Sequence, residues 1–253
     1  MRYMLIYTAD PDLDGRWDGE ARAALSSWFE DVTWSGVGLQ GSGLRPAADA
    51  TTVKVRDGEL LVTDGPFAET KEQVAGYDLV ECADLEEAVR WAARHPHSWT
   101  GAAEVRALPD RAPALPLPEP GDGKTRYMML VCTDPSVNPR EFDHVDPVDP
   151  WVAEMNDRGV RLYGSELEPP DTARTVRVRD KSVMVTDGPF AETKEQIVGF
   201  DVLECVGRDE AIELAAKHPM ARLGILELRP FKPFEHDEDA RTTPEGNEMG
   251  PSA

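Results

Sequence analysis

VTDGPFAETKEQ occupies residues 62–73 and returns, letter for letter, at residues 185–196. Working outward from the two copies, the agreement continues at the same spacing. TVKVRD (52–57) lies against TVRVRD (175–180), GYDLVEC (76–82) against GFDVLEC (199–205), and EVR (104–106) against ELR (227–229). RYML at 2–5 matches RYMM at 126–129, one residue out of step, so the length difference falls in the loop near residues 9–20. A repeat of this size is a normal domain, and self-similarity decides the architecture before any local propensity does. The chain divides into a first repeat over 1–108, a proline-rich connector over 109–125, a second repeat over 126–231 and an acidic tail over 232–253.

Within the first repeat the pattern alternates. Residues 2–8 read as a buried strand, and residues 18–35 carry Ala21, Ala24, Leu25, Trp28, Phe29 and Val32 at helical spacing, with Gly36 as the stop. Residues 37–46 are extended. Residues 51–56 and 59–63 form a hairpin around Asp57-Gly58, a strong turn signal. The second repeat has Asp180-Lys181 there, which points to a different loop. A strand at 76–82, a helix at 84–94 stopped by Pro96 and a strand at 101–107 complete the unit. The expectation is an α+β fold with two helices on one face of each sheet, the two sheets covering each other's second face. Five prolines within residues 109–124 make the connector extended, and the tail is too polar to build a core and is expected to be disordered.

Composition narrows the function. The chain of 253 residues carries 48 acidic against 27 basic residues, a formal net charge of −21. Such a surface repels phosphate backbones, and with no basic patch a nucleic-acid role is not expected. No apolar run reaches the length of a membrane span, so no membrane partner is expected. Three cysteines without metal spacing suit a cytoplasmic location. No HExxH or carboxylate–histidine cluster suggests a metal, and neither metal nor cofactor is expected.

The repeated string has two readings. As structure, Asp64 ends a strand and precedes Gly65-Pro66, so its carboxylate would accept backbone N–H groups in an Asx-type turn. Phe67 would seat the loop, with Glu69, Lys71 and Glu72 solvated or weakly paired. As a site, the same turn places polar groups rigidly at the end of a sheet. Asp64 and Asp187, partly desolvated, would have raised pKa values and move a proton. Lys71 and Lys194 would hold a carboxylate or enolate oxygen, with Glu69, Glu72, Glu192 and Glu195 lining the ligand. The identity of the dodecamer contrasts with WFEDVTWSG (28–36) and WVAEMNDRG (151–159), which share only their first and last residues.

DGPFAETKE, with its flanking strands and the WAARHP end of the second helix (91–96), resembles the signature of the DGPF, or YCII-related, family. The resemblance covers 2–108 and 126–230, nearly all of the patterned chain. It implies ferredoxin-like repeats whose sheets pair into a dimeric α/β barrel, closed here within one chain. Some YCII-related relatives resemble small lyases with a His–Asp pair whose histidine lies near the first helix. The first repeat has no histidine before His95, and the second offers His144 as the candidate base, in a proline-broken loop. DGPF members often accompany extracytoplasmic-function sigma factors.

His95 and His218 stand at helix C-termini, where the dipole favours an imidazolium, and read as caps. Cys82 and Cys205 read as core. Two functions stay open. One is a protein that binds an unidentified small molecule in the barrel in a regulatory or accessory role, with a sigma factor or a second copy as partner. The other is a cofactor-independent lyase or isomerase that acts on a small acidic or enolisable substrate through the DGPF-loop aspartates.

Overall fold

A computed structural model describes residues 1–9, 19–68, 72–109, 117, 120–133, 147–191 and 194–233. The first repeat contains β1 (Arg2–Ala9), α1 (Gly19–Ser35), β2 (Gly38–Gly43), β3 (Thr51–Arg56), β4 (Glu59–Asp64), β5 (Gln73–Glu81), α2 (Leu85–Arg94), the short α3 (His97–Thr100) and β6 (Ala102–Ala107). The second repeats the order with β7 (Thr125–Thr133), α4 (Val148–Asp157), β8 (Arg161–Glu166), β9 (Arg174–Arg179), β10 (Ser182–Asp187), β11 (Gln196–Cys205), α5 (Arg208–Lys217), α6 (Met220–Leu223) and β12 (Ile225–Pro230). No helix among the described residues is long and apolar enough to cross a membrane. The tail from residue 234, expected to be disordered, and most of the proline-rich segment lie outside the described residues.

The strands form two antiparallel sheets of six, ordered β10-β9-β6-β1-β5-β2 and β4-β3-β12-β7-β11-β8. Neither sheet belongs to one repeat. The β3–β4 hairpin adds to the sheet of the second repeat through Thr52↔Glu227 and Val53↔Leu226. The β9–β10 hairpin adds to the sheet of the first through Glu104↔Thr175 and Ala103↔Val176. The fold is therefore interlocked by an exchange of hairpins.

Alternation along the strands builds three cores. Met4 and Ile6 on β1, Tyr77 and Leu79 on β5, Met128 and Leu130 on β7, and Phe200 and Val202 on β11 fill the space between the sheets. The opposite faces pack on helices, with Trp28 and Ala88 over Leu5 and Val80, and with Trp151 and Leu214 over Met129 and Leu203. In both halves a tryptophan ties the helices together, Trp28 Nε1 donating to Trp91 O at 3.0 Å and Trp151 Nε1 to Leu214 O at 3.1 Å. The buried indole thus gains its hydrogen bond at the free carbonyls of a helix end. All three cysteines are buried and free.

The closed barrel is not formed among the described residues. β12 offers one free flank, and β3 takes it at residues 226–228, so the end of β2 reaches only the single bridge Leu44↔Phe231. The two sheets pack face to face instead. The second hairpin also differs from expectation. Asp180 and Lys181 both adopt left-handed φ, +50° and +63°, matching Asp57 and Gly58 at +53° and +81°. The two-residue connection requires that conformation to match the twist of the strands, so the same turn forms although Lys181 is a poor fit for it.

Candidate functional site

The two copies of the dodecamer, distant in sequence, come together at the interface of the repeats. Gly65 and Gly188 turn the chain with φ of +102° and +92°. Gly65 N–H donates to Ala50 O at 2.9 Å, and Thr52 Oγ1 donates to Gly65 O at 2.8 Å. Gly188 repeats both bonds with Ala173 O and Thr175 Oγ1, at 3.0 and 2.8 Å. The chain then meets the other repeat. Phe67 N–H donates to Glu227 Oε2 at 2.8 Å, and Phe190 N–H to Glu104 Oε2 at 3.0 Å.

Each of these carboxylates is 1 % exposed and is held by an arginine two residues along its own strand, on the same face. Glu104 pairs with Arg106, and Glu227 with Arg229 at 2.9 Å. Arg106 also donates to Glu168 O and Ile197 O, both at 3.1 Å, and Arg229 to Arg45 O and Val74 O at 2.7 and 2.8 Å. A buried ion pair offsets its desolvation only when further hydrogen bonds complete it, and the loop amides and strand-end carbonyls supply them. The sequence-based expectations do not include this pair; its signal is EVR and ELR, where a glutamate and an arginine share one face of an otherwise apolar strand.

Around the Phe67 and Phe190 rings lie two adjoining clefts, open to solvent. One is lined by Glu72, Gln73 and Glu227 with Ala68, and the other by Glu104, Arg106 and Gln196. Glu72 joins the repeats, accepting from Arg177 Nη2 at 2.6 Å and from Thr8 Oγ1 at 3.4 Å.

The predicted site residues do not all converge there. Asp64 and Asp187 face outward with side chains 82 % and 86 % exposed, Asp64 paired with Arg208 and Asp187 with Arg174 at 3.1 Å. The burial expected of a proton-transferring carboxylate is missing at both. Among the described residues it is Thr52 and Glu227, not an Asx turn of Asp64, that hold the loop. Lys194 is exposed and Glu195 half-buried. Glu69, Lys71, Glu192 and His144 lie outside the described residues.

A second polar cluster, absent from the sequence-based expectations, lies between each sheet and its helices. In the first repeat Asp78, 7 % exposed, stands beside Tyr7. Tyr7 stacks on His95 with centroids 3.7 Å apart, and His97 stacks beyond at 5.4 Å from His95. In the second repeat Asp201 meets Arg161 Nε at 2.6 Å, with His218 Nε2 at 3.9 Å. Burial pushes Asp78 up to about 8 against the pull of the Tyr7 hydroxyl, and Asp201 up to about 6 against the pull of Arg161.

The histidines are not imidazolium caps. Burial holds His95 well below its usual range and His218 down to about 4, and both Nδ1 atoms accept backbone N–H bonds, from His97 at 3.2 Å and Met220 at 3.1 Å. Desolvation outweighs the helix dipole at these positions. No group of three or more metal-ligating side chains is gathered among the described residues.

The model of the YCII-related domain family matches this chain twice, over residues 1–110 and 126–235. An uncharacterized protein of Rhizobium meliloti (strain 1021) is 46 % identical over 67 residues, which are 26 % of this chain and 54 % of that relative. The chain thus spans about half the length of the curated relative it matches.

Proposed function

Because the chain belongs, through both of its repeats, to the YCII-related family, we propose that it is a binding protein of regulatory or accessory character. It takes a small molecule in the paired clefts where the two DGPF loops meet. The observation that carries this reading is the convergence of two identical turns, pinned at Gly65 and Phe67 and at Gly188 and Phe190, around the two phenylalanine rings. A pocket with aromatic walls and a few fixed polar groups is the usual form of a small-molecule site. Glu72, Gln73 and Gln196 are the polar contacts for the ligand, placed beside the buried Glu104 and Glu227.

The strand order β6-β1-β5-β2, repeated as β12-β7-β11-β8, supports reading each repeat as a ferredoxin-like unit. The Leu44–Phe231 bridge supports reading the pair as an incompletely closed barrel. An extracytoplasmic-function sigma factor is the partner class that the family resemblance suggests. The edge strands β4 and β10, with Leu60, Leu61, Val62, Val183, Met184 and Val185 all exposed, offer an apolar surface for it.

A thermal-shift screen of the full chain against small carboxylates, enols and aromatic acids tests the proposal. A ligand at a hundred times its dissociation constant adds about 2.7 kcal/mol of stability, and Glu72→Gln should reduce that gain. Hits that Glu72→Gln leaves unchanged, or a screen with no hits, would count against the clefts.

A further inference from the structure

The two repeats place the same aspartate in the same corner but complete it differently. Asp78 and Asp201 each lie over a glycine on the neighbouring edge strand, so close that a Cβ on Gly41 would meet Asp78 Oδ1 at 1.7 Å and one on Gly164 would meet Asp201 Oδ1 at 2.0 Å. In the second repeat the corner is filled by Arg161, the first residue of β8, whose guanidinium reaches Asp201 and lies within 2.5 Å of the position a Gly164 Cβ would take. The matching residue at the start of β2 is Gly38. Among the described residues no other cation acts on Asp78. Among the described residues Tyr7 from β1 and Gly41 from β2 face Asp78, while His95 and His97 from the turn between α2 and α3 stack on Tyr7, Trp28 of α1 lies edge-on to His95, and Val32 of α1 lies over Gly38. His95 and His97 are held neutral by burial, and the positive charge of Lys232 acts on His97 in the same direction.

A buried carboxyl with no counter-ion destabilises a fold, and the second repeat shows how the same scaffold removes that cost. We propose that this corner of the first repeat is a binding site for a small ligand bearing a guanidinium group, seated where Arg161 lies in the second repeat, with Asp78 as its counter-ion. β2 is the edge of its sheet, so the ligand enters from the flank by which Arg161 reaches Asp201. Arg161 supplies the template: its Nε bonds Asp201 and its Nη1 lies 3.5 Å from Asn156 Oδ1. Thr33 holds the matching position on α1 and offers a hydroxyl oxygen in place of the amide. Tyr7 has a buried hydroxyl that makes no hydrogen bond of ordinary geometry, a further polar group for an N–H donor. Val131 and Met220 stand at the positions of Tyr7 and His97 in the second repeat, so the polar lining belongs to the first repeat alone. The site is separate from the clefts of the DGPF loops and does not depend on them.

The test is a calorimetric titration of the full chain with methylguanidinium chloride, against N-methylurea as the neutral control of similar shape, at fixed ionic strength. One saturable site for methylguanidinium and none for methylurea is expected. Its affinity should rise between about pH 7 and about pH 9, as the carboxyl of Asp78 gives up its proton to the solvent. Asp78→Asn should weaken binding about 30-fold or more, whereas Glu72→Gln should leave it unchanged. Gly38→Arg should fill the corner internally, but a Cβ there meets Val32 at 3.3 Å, so the converse variant is the safer check. Arg161→Gly opens the equivalent corner beside Asp201 and should raise the count of sites to two. Equal binding by Asp78→Asn, or no saturable binding by the unsubstituted chain, overturns the proposal. So does a site that appears only in Arg161→Gly, because the corner beside Asp78 would then be closed to the ligand.

Discussion

Phe67 donates its backbone N–H to Glu227 at 2.8 Å across a separation of 160 residues, and Phe190 makes the matching bond to Glu104 at 3.0 Å. The repeated turn of each half is thus fastened to a buried ion pair of the other. The exchange of hairpins brings each loop to its acceptor, and the acceptor fixes the loop that walls the clefts.

Removing the acceptor leaves Arg229 buried without its counter-charge. Glu227→Ala should therefore cost about 3–5 kcal/mol in urea unfolding. Asp64→Asn breaks only the exposed pair with Arg208 and should cost less than about 1 kcal/mol. Equal losses in the two variants would show that the loop aspartate, not Glu227, holds the turn.

The second hairpin carries a removable strain. Lys181 sits at φ +63° in a turn where Gly58 occupies the matching place. Lys181→Gly should stabilise the chain by about 1 kcal/mol, and Gly58→Ala should destabilise it, both read from the midpoint of chemical unfolding. A neutral or destabilising Lys181→Gly would mean that the turn is not left-handed at both positions.

Asp78 gives the stability a pH dependence of definite sign. Its carboxyl titrates near 8 when folded and near 3.8 when unfolded, so between those values the folded state holds the extra proton. Stability is then lost as pH rises through this window and levels off above about 8. Asp201, raised to about 6, contributes in the same direction only at lower pH. His218 and His97, lowered to about 4, oppose it below their unfolded value of 6.5. Between about pH 7 and pH 8 Asp78 acts alone among these groups, with a slope of up to about 1.4 kcal/mol per pH unit. Urea unfolding at several pH values should show the fall in the unsubstituted chain and a flat profile in Asp78→Asn. The same slope in both would remove Asp78 as its source.

Much of the fold was legible in the sequence because its signals are local or repeated. The duplication, the Asp57-Gly58 turn, the stop at Gly36 and the paired sheets follow from spacing and alternation. The hairpin exchange does not. TVKVRD and TVRVRD carry the same strand signal, so nothing in either says whether it pairs with β6 or β12. The pairing is settled by where the connections let each hairpin reach. The clefts are half legible: the dodecamer marks the loops, but the buried glutamates that hold them stand in EVR and ELR of the opposite repeat. Asp78 is not legible from GYDLVEC alone, because Tyr7 and Gly41, which face it, come from other strands. The contrast of Gly38 with Arg161 gains meaning only once Asp201 is seen against the guanidinium.

Amide hydrogen exchange at Phe67, followed by NMR in the unsubstituted chain and in Glu227→Gln, tests the interlock most directly. The Phe67 amide should be protected although it lies in a loop. Glu227→Gln should speed its exchange well beyond that of the Phe190 amide, which still donates to Glu104. A Phe67 amide that exchanges as fast as an open loop in the unsubstituted chain, or that responds to Glu227→Gln no more than Phe190 does, would contradict the account.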